Sequence, residues 1–185
     1  MNNLRVIFTA VAGNGGKGAI TYRQIKNNAK AGPSGGCGGN GGHIILKSEA
    51  RLNNFAILKN ELVKSASTFK YSDSLRHSLI ATDGKDGSSN RGQGQHGVDR
   101  IVAIPVGCKI IDLANHKTLV ESSEENQLLV VARAGAGGQG NSLMRNSIDR
   151  CPRFAQMGAQ GQRRDLEILY PLPIESSEIN RHNCD

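Results

Sequence analysis

Apolar and polar residues alternate along several short runs of this chain, which is the pattern of strands that bury one face. In the run 4–11, Val6 and Phe8 fall on one side of the strand, and Arg5 and Thr9 fall on the other. Similar runs predict further strands at 43–47, 98–113, 117–121, 127–133 and 164–170.

Two stretches interrupt this pattern. The sequence P-V-G at 105–107 predicts a bend or a sheet edge inside the run 98–113. Residues 48–64 instead have helix-compatible apolar spacing, with Ser48 as a cap, and predict one or two short turns of helix. No element is predicted for 65–82. At least six short strands and almost no helix indicate an all-β body.

Glycine-rich patches lie between the predicted strands, and their glycines recur at every third position. A polyproline II helix has three residues per turn and no internal hydrogen bonds, so a small residue at every third place lets such helices pack side by side. Six patches with this step predict a bundle of short polyproline II segments, some with glycines at positive φ. The glycines assigned to packed faces are Gly13, Gly16, Gly32, Gly35, Gly36, Gly38, Gly39, Gly41, Gly42, Gly135, Gly138 and Gly140.

Three other interpretations of the glycines fit less well. Flexible linkers have no fixed phase, and collagen needs an unbroken repeat with abundant proline, whereas this chain has five prolines. The segment 13–18 matches the dinucleotide-binding pattern G-x-G-x-x-G, but so do 36–41 and 135–140. A true fingerprint occurs once, opens a helix and has an acid about 20 residues further on. After 13–18 the first acid is Glu49.

Basic residues accompany the glycine patches. The chain has 185 residues and a net charge of +7, which is enough length for one domain with a real core. Residues 1–48 carry six lysines and arginines and no acid, and residues 133–164 carry six arginines against Asp149 alone. This segregation indicates a polyanionic partner, most often a nucleic acid.

Other candidate chemistry is sparse. The four cysteines form no C-x-x-C pair, which favours a reducing compartment over a disulfide or a metal site. The five histidines show no ligand spacing, so no catalytic residue and no metal ligand is assigned. No apolar run reaches membrane length. Since the chain opens directly into a strand, no signal or transit peptide is predicted.

Taken in order, several blocks resemble the amino-terminal domain of the Obg family of ribosome-assembly GTPases. Order and spacing agree over roughly residues 4–169. The blocks are A-G-N-G-G-K-G at 12–18, G-P-S-G-G-C-G-G-N-G-G with H-I-I-L at 32–46, I-P-V-G at 104–107, A-G-A-G-G-Q-G-N at 134–141, P-R at 152–153 with G-x-x-G at 158–161, and L-E-I at 166–168.

The resemblance implies an all-β Obg fold over 1–170, followed by a polar tail at 171–185. Its base would be a small β-barrel or jelly roll, and six packed polyproline II-like helices would rise from it. It also implies a ribosome biogenesis module whose tip loops dock on the large ribosomal subunit and bind rRNA near the peptidyl-transferase centre. Other assembly factors are further expected partners. The expected location is mitochondrial in a eukaryote and cytoplasmic otherwise.

The chain departs from the family pattern in two ways. Ser34 and Cys37 stand where the family usually has aspartates, and Cys108 replaces the usual threonine. The chain also has no G-x-x-x-x-G-K-[ST] loop to cradle nucleotide phosphates. It is therefore expected to be no enzyme and to bind no cofactor, with GTP and Mg²⁺ belonging to an absent GTPase domain. The alternative is a truncated GTPase that acts here only as a protein-interaction or regulatory module.

If the module binds RNA, basic residues of the glycine-rich half should contact it, because arginine and lysine neutralise phosphates while glycine backbones allow close approach. The expected contacts are Arg23, Lys26, Lys30, Arg91, Arg145, Arg150 and Arg153.

Overall fold

The computed structural model describes residues 3–23, 32–50 and 77–171. These residues form eight strands and no helix, which confirms the all-β prediction. The strands are β1 (Asn3–Val11), β2 (Ile44–Glu49), β3 (His77–Ile80), β4 (Arg100–Pro105), β5 (Lys109–Asp112), β6 (Lys117–Glu121), β7 (Leu128–Ala132) and β8 (Arg163–Pro171).

Two mixed sheets form the base of the molecule. The larger sheet has the order β3-β1-β8-β5-β6 and the smaller has the order β4-β2-β7. Long strands β1 and β8 pair antiparallel, while β3 runs parallel to β1 and β4 runs parallel to β2. Within the described residues the sheets do not close into a barrel. Of the expected barrel or jelly roll, the closed barrel is therefore excluded for the described residues, and the base consists of two separate sheets around one core.

The core lies between the inward faces of these sheets. Phe8, Leu46, Ile104 and Ile168 are almost completely buried there, and each such side chain contributes about 1.5–3 kcal/mol relative to an exposed one. The alternation predicted for β1 holds with one exception. Thr9, expected to face outward, is buried, and its hydroxyl donates a hydrogen bond to the Asp165 carboxylate at 2.6 Å.

Three local predictions have clear outcomes. The bend at 105–107 is confirmed, because β4 ends at Pro105 and β5 begins at Lys109, with Gly107 at φ 87°. Ser48 caps no helix. It lies inside β2, where its hydroxyl donates to the Glu124 carbonyl at 2.5 Å and accepts from the Gln127 N–H at 2.9 Å. Glu49 also belongs to β2, and residues 51–64 of the predicted helical stretch lie outside the described residues.

Strand β3 was not predicted. It is only four residues long and contributes a single fully buried side chain, Leu79, among its described side chains. A short parallel edge strand has no alternation long enough to detect, so its place beside β1 is decided by pairing rather than by a local pattern.

Six extended segments, numbered I to VI in chain order, pack together beside the sheets. They are I (12–19), II (33–43), III (81–88), IV (92–99), V (133–141) and VI (155–162). Their backbones are joined by hydrogen bonds with N···O distances of 2.7–3.0 Å. Segments I, III and V leave the sheets and II, IV and VI return to them. We call this assembly the glycine bundle.

In segment I, backbone N–H groups that are three residues apart donate hydrogen bonds to the same neighbouring segment. One set of N–H groups donates to carbonyls of segment VI, from Ala12, Gly15 and Gly18 to Gln162, Ala159 and Gln156. The next set donates to segment II, from Gly13, Gly16 and Ala19 to Gly42, Gly39 and Gly36. The third set is met by side chains of segment III, because Asn14 and Lys17 N–H donate to the Asp83 and Asp86 carboxylates at 2.6 and 2.7 Å. Three faces with three different partners are what a threefold helix presents.

Glycine is required in the bundle for room. A Cβ added at Gly39 would lie 2.0 Å from the Gln95 carbonyl oxygen, and one at Gly36 would lie 2.0 Å from that of Gly92. Gly32 is different, since an added Cβ there meets nothing within 4 Å. The expected positive φ values do not occur in the bundle, because the one described glycine with positive φ is Gly107, in the sheet base.

Candidate nucleic-acid interface

The direction of the six segments brings three loops to one end of the bundle. The loop after segment I, the turn between III and IV and the loop between V and VI all lie opposite the sheets. The described parts of these loops are 20–23, 88–92 and 142–154, and we call them the tip. Side chains at the tip are therefore displayed together although they are far apart in the sequence.

Asn141 joins the first and third loops of the tip. It is completely buried, and its Oδ1 accepts a hydrogen bond from Gly35 N–H at 2.8 Å. Its Nδ2 donates to the carbonyls of Thr21, at 3.1 Å, and Pro152, at 3.3 Å. A carboxamide has two donor sites and two acceptor sites, and Asn141 uses three of these four. The three hydrogen bonds fix three backbone segments.

Further hydrogen bonds hold the loops against one another. The Tyr22 hydroxyl donates to the Pro152 carbonyl at 2.9 Å, and the Arg91 N–H donates to the Ser34 carbonyl at 2.7 Å. Buried Ser34 also shares a hydroxyl hydrogen bond with Thr21 at 3.1 Å. The first and third loops are consequently bonded to each other, and the second loop is bonded to segment II.

Five of the seven predicted RNA contacts are described, and all five lie at the tip with exposed side chains: Arg23, Arg91, Arg145, Arg150 and Arg153. None of their guanidinium groups forms an ion pair with a described residue. Lys26 and Lys30 lie outside the described residues.

Negative charge at the described tip is limited to Asp149, and one of its carboxylate oxygens accepts a hydrogen bond from Cys151 N–H at 3.0 Å. Unpaired cations gathered at one end of an elongated body create a strongly positive local potential. The five described arginines of the predicted RNA contacts therefore concentrate positive charge at the tip.

The third loop contains a tight turn between two arginines. Asn146 Oδ1 accepts hydrogen bonds from the N–H groups of Ile148, at 3.0 Å, and Asp149, at 2.6 Å. The turn borders an open pocket of about 490 Å³ lined by Arg145, Asn146, Ser147 and Arg150.

Large apolar side chains are also exposed at the tip and beside it. Ile148 has 96% of its surface exposed and Phe154 has 58%, and Ile20, Leu143 and Met157 are each at least half exposed. The tip thus combines cations with apolar and aromatic surface.

Sequence reasoning missed the polar side chains that complete the bundle. The carboxamide oxygens of Asn14 and Asn40 accept hydrogen bonds from the N–H groups of Gly161, at 3.0 Å, and Gly137, at 2.9 Å. The available signal was their phase, because both stand at the third position that the glycine series leave free. Asn141 carried no such signal, since its partners come from three distant parts of the chain.

The described cysteines differ in exposure. Cys151 is exposed, Cys37 is half-buried and Cys108 is buried. Burial raises the pKa of the Cys108 thiol from 9.0 to about 12, because an apolar environment disfavours the thiolate. Within 3–23, 32–50 and 77–171 there is no group of three or more His, Cys, Asp or Glu side chains that could hold a metal ion. The described part of the chain also contains no helix able to span a membrane.

Comparison with known proteins decides the family. The model of the GTP1/OBG family matches residues 5–170. This chain belongs to that family. Its relatives include the GTPase Obg of Buchnera aphidicola, 30% identical over 97% of this chain and 49% of the relative. The GTPase Obg of Chlorobaculum parvum is 34% identical over 94% of this chain and 47% of the relative. That of Clostridium novyi is 33% identical over 87% of this chain and 34% of the relative.

The resemblance deduced from the glycine blocks is confirmed by these matches. The chain spans about half the length of the first relatives it matches, and it corresponds to their Obg domain rather than to a GTPase domain. The family assignment and the tip geometry are independent observations, because one depends on the whole sequence and the other on where the loops meet.

Proposed function

We propose that this Obg domain is an RNA-binding module of ribosome biogenesis. It docks through its tip on the large ribosomal subunit and contacts rRNA near the peptidyl-transferase centre. The observation that carries the proposal is the gathering of Arg23, Arg91, Arg145, Arg150 and Arg153 at one end of the bundle, opposed there by Asp149 alone.

A rigid support makes these arginines effective. Their loops are fixed by backbone hydrogen bonds and by buried Asn141, so little loop entropy is lost on binding. Each exposed guanidinium can neutralise a phosphate and release counterions, which supports affinity without reading sequence. Recognition is then mainly by the shape of the RNA and the spacing of its phosphates.

The exposed apolar side chains favour folded RNA with unpaired nucleotides over a regular duplex. The flat ring of Phe154 and the exposed Ile148 can contact the faces of unstacked bases, which a duplex keeps inside its stack. The interior of a ribosomal subunit offers unpaired bases and dense phosphates together. This combination matches the chemistry of the tip.

Co-sedimentation with purified large ribosomal subunits tests the proposal. We expect the chain to bind in moderate salt and to be released at high salt. The double variant Arg91→Ala with Arg153→Ala should bind about tenfold more weakly. As a matched control, Arg133→Ala with Arg163→Ala removes two exposed arginines near the sheets and should change binding less than about twofold. Absence of binding at any salt contradicts the proposal.

Chemical footprinting of the bound rRNA then tests the position near the peptidyl-transferase centre.

A second candidate is favoured by the length comparison. Because the chain spans about half of its first relatives, the function can require a GTPase domain that supplies GTP and Mg²⁺ binding. The present chain would then hold other assembly factors or regulate that domain. A nucleotide-binding assay tests the premise that both roles share, which is that this chain does not itself bind GTP. We expect no Mg²⁺-dependent GTP binding by this chain, since it lacks the phosphate-binding loop.

For either candidate we propose a mitochondrial location in a eukaryote and a cytoplasmic one otherwise.

A further inference from the structure

We propose that Arg145 and Arg150 bind one and the same phosphodiester group of the RNA, in the pocket that they line. This inference rests on the proposed function and assigns a ligand class to one part of the tip. It divides the five arginines into a pair that acts as a unit and three that act separately.

The local fold places Arg145 and Arg150 around one space. Asn146 N–H donates to the Asp149 carbonyl at 2.9 Å, and Asn146 Oδ1 accepts from Ile148 and Asp149 N–H. These bonds close the chain into a turn between Arg145 and Arg150. As a result, both side chains line the same pocket of about 490 Å³, although four residues separate them in the sequence.

The pocket presents donors and no anionic acceptor. Its four lining residues are two arginines, an asparagine and a serine. Asp149 is not among them, and one of its oxygens is occupied by the N–H of Cys151. Arginine guanidinium forks match the non-bridging oxygens of a phosphate in charge and geometry. Two such forks together with the Ser147 hydroxyl provide donors for both non-bridging oxygens of one phosphodiester.

The surroundings of the pocket favour a phosphate that belongs to a nucleic acid. Ile148, at the apex of the turn, is 96% exposed and stands beside the two arginines. A phosphodiester held in the pocket would place its sugar or base against this apolar group. A free inorganic phosphate has no group that could use it.

Salt dependence of binding tests whether the two arginines share a phosphate. The probe is large-subunit rRNA, measured by filter binding to the full chain at several salt concentrations. Loss of one phosphate contact lowers the slope of log affinity against log salt by about 1. We expect a decrease of about 1 for Arg145→Ala, for Arg150→Ala and also for the double variant. The affinity of the double variant should lie within about threefold of the weaker single variant.

The matched control pairs Arg145→Ala with Arg153→Ala, because Arg153 does not line the pocket. Here the two losses of affinity should multiply, and the slope should fall by about 2. Multiplying losses in the Arg145 and Arg150 pair would overturn the inference. All five arginine variants, three single and two double, are expected to keep the thermal midpoint of the unmodified chain, since the replaced side chains are exposed and form no ion pair with a described residue.

A titration with inorganic phosphate distinguishes a phosphodiester of RNA from a free phosphate ion as the ligand of the pocket. We expect millimolar phosphate to perturb the guanidinium NMR signals of Arg145 and Arg150 only weakly and to be displaced by rRNA. Saturation by phosphate without competition from rRNA would show a free-anion site and overturn the assignment to RNA. If the unmodified chain fails to bind rRNA, the proposed function itself is contradicted. If it binds but the two arginines act independently, only the inference fails.

Discussion

The sheet base and the glycine bundle are stabilised in opposite ways. The base excludes water from large side chains such as Phe8, Leu46 and Ile104. The bundle buries almost no large side chain, and backbone hydrogen bonds of 2.7–3.0 Å hold its segments together. Each such bond contributes only about 0.5–1.5 kcal/mol net, so the bundle depends on making nearly all of them. Side-chain packing tolerates small changes of volume, whereas direct backbone contact does not.

This difference fits the role proposed for the tip. In the base, an apolar core holds the two sheets together. A bundle stabilised in the same way would need bulky side chains between its segments. Glycine backbones allow six segments to lie in direct contact. The result is a bundle of closely packed backbones that carries the tip.

The strongest test of the comparison adds one carbon to the bundle and removes one from the base. Gly39→Ala places a Cβ 2.0 Å from the Gln95 carbonyl oxygen, and we expect it to cost about 3 kcal/mol, at the upper end for overpacking. Ile104→Val, which removes one carbon from the core, should cost about 1 kcal/mol. The measurement is the free energy of unfolding in urea.

The neighbouring residue is the control for this test. Asn40 is exposed, and Asn40→Ala removes the acceptor of Gly137 N–H, so its cost should be about 1 kcal/mol. Equal costs for Gly39→Ala and Asn40→Ala would mean that the glycines provide flexibility and not clearance. The contrast between base and bundle would then disappear.

An intermediate effect is expected at the polar centre of the tip. Asn141→Ala leaves Gly35 N–H without its acceptor and removes one of two hydrogen bonds at each of the Thr21 and Pro152 carbonyls. We expect a loss of about 2 kcal/mol. Gln160→Ala, at an exposed position of the bundle, should cost less than about 0.5 kcal/mol. Both are measured by urea unfolding. Similar values for the two variants would show that the tip is not held together by Asn141.

The smallest effect concerns the base and its response to pH. The pKa of Cys108 is raised to about 12 in the folded state, so the folded protein keeps the thiol protonated when the unfolded chain ionises. Stability from this residue is complete below pH 9 and is lost as the pH rises from 9 towards 12. We expect the unmodified chain to lose about 1 kcal/mol more per pH unit above 9 than Cys108→Ala does.

The same residue gives a chemical check on the comparison. Exposed Cys151 should react with a thiol reagent in the native state, and Cys108 should react only after unfolding. Parallel pH slopes for the unmodified chain and Cys108→Ala, or native-state labelling of Cys108, would show that the core admits water.

Prediction from sequence succeeded where a short-range period existed. Alternation located β1, β2 and the strands from 100 to 132 to within a few residues, and the three-residue step located all six segments of the bundle. It failed at β3, where four residues carry no period, and at Thr9 and Ser48, where a distant partner buries a polar group. The arginines proposed as RNA contacts were selected by composition and remain a prediction, and the pocket between Arg145 and Arg150 was not predicted.

By itself, the sequence determined the all-β class, the spacing of the glycines and the family to which the chain belongs. Each of these depends on residues that are close together in the sequence. Only the tertiary structure decided that the sheets stay separate, that Asn141 joins distant loops and that arginines from three loops share one end. The physical reason is that these features depend on which segments pair, and pairing is selected by hydrogen bonds and close contacts between residues that are remote along the chain.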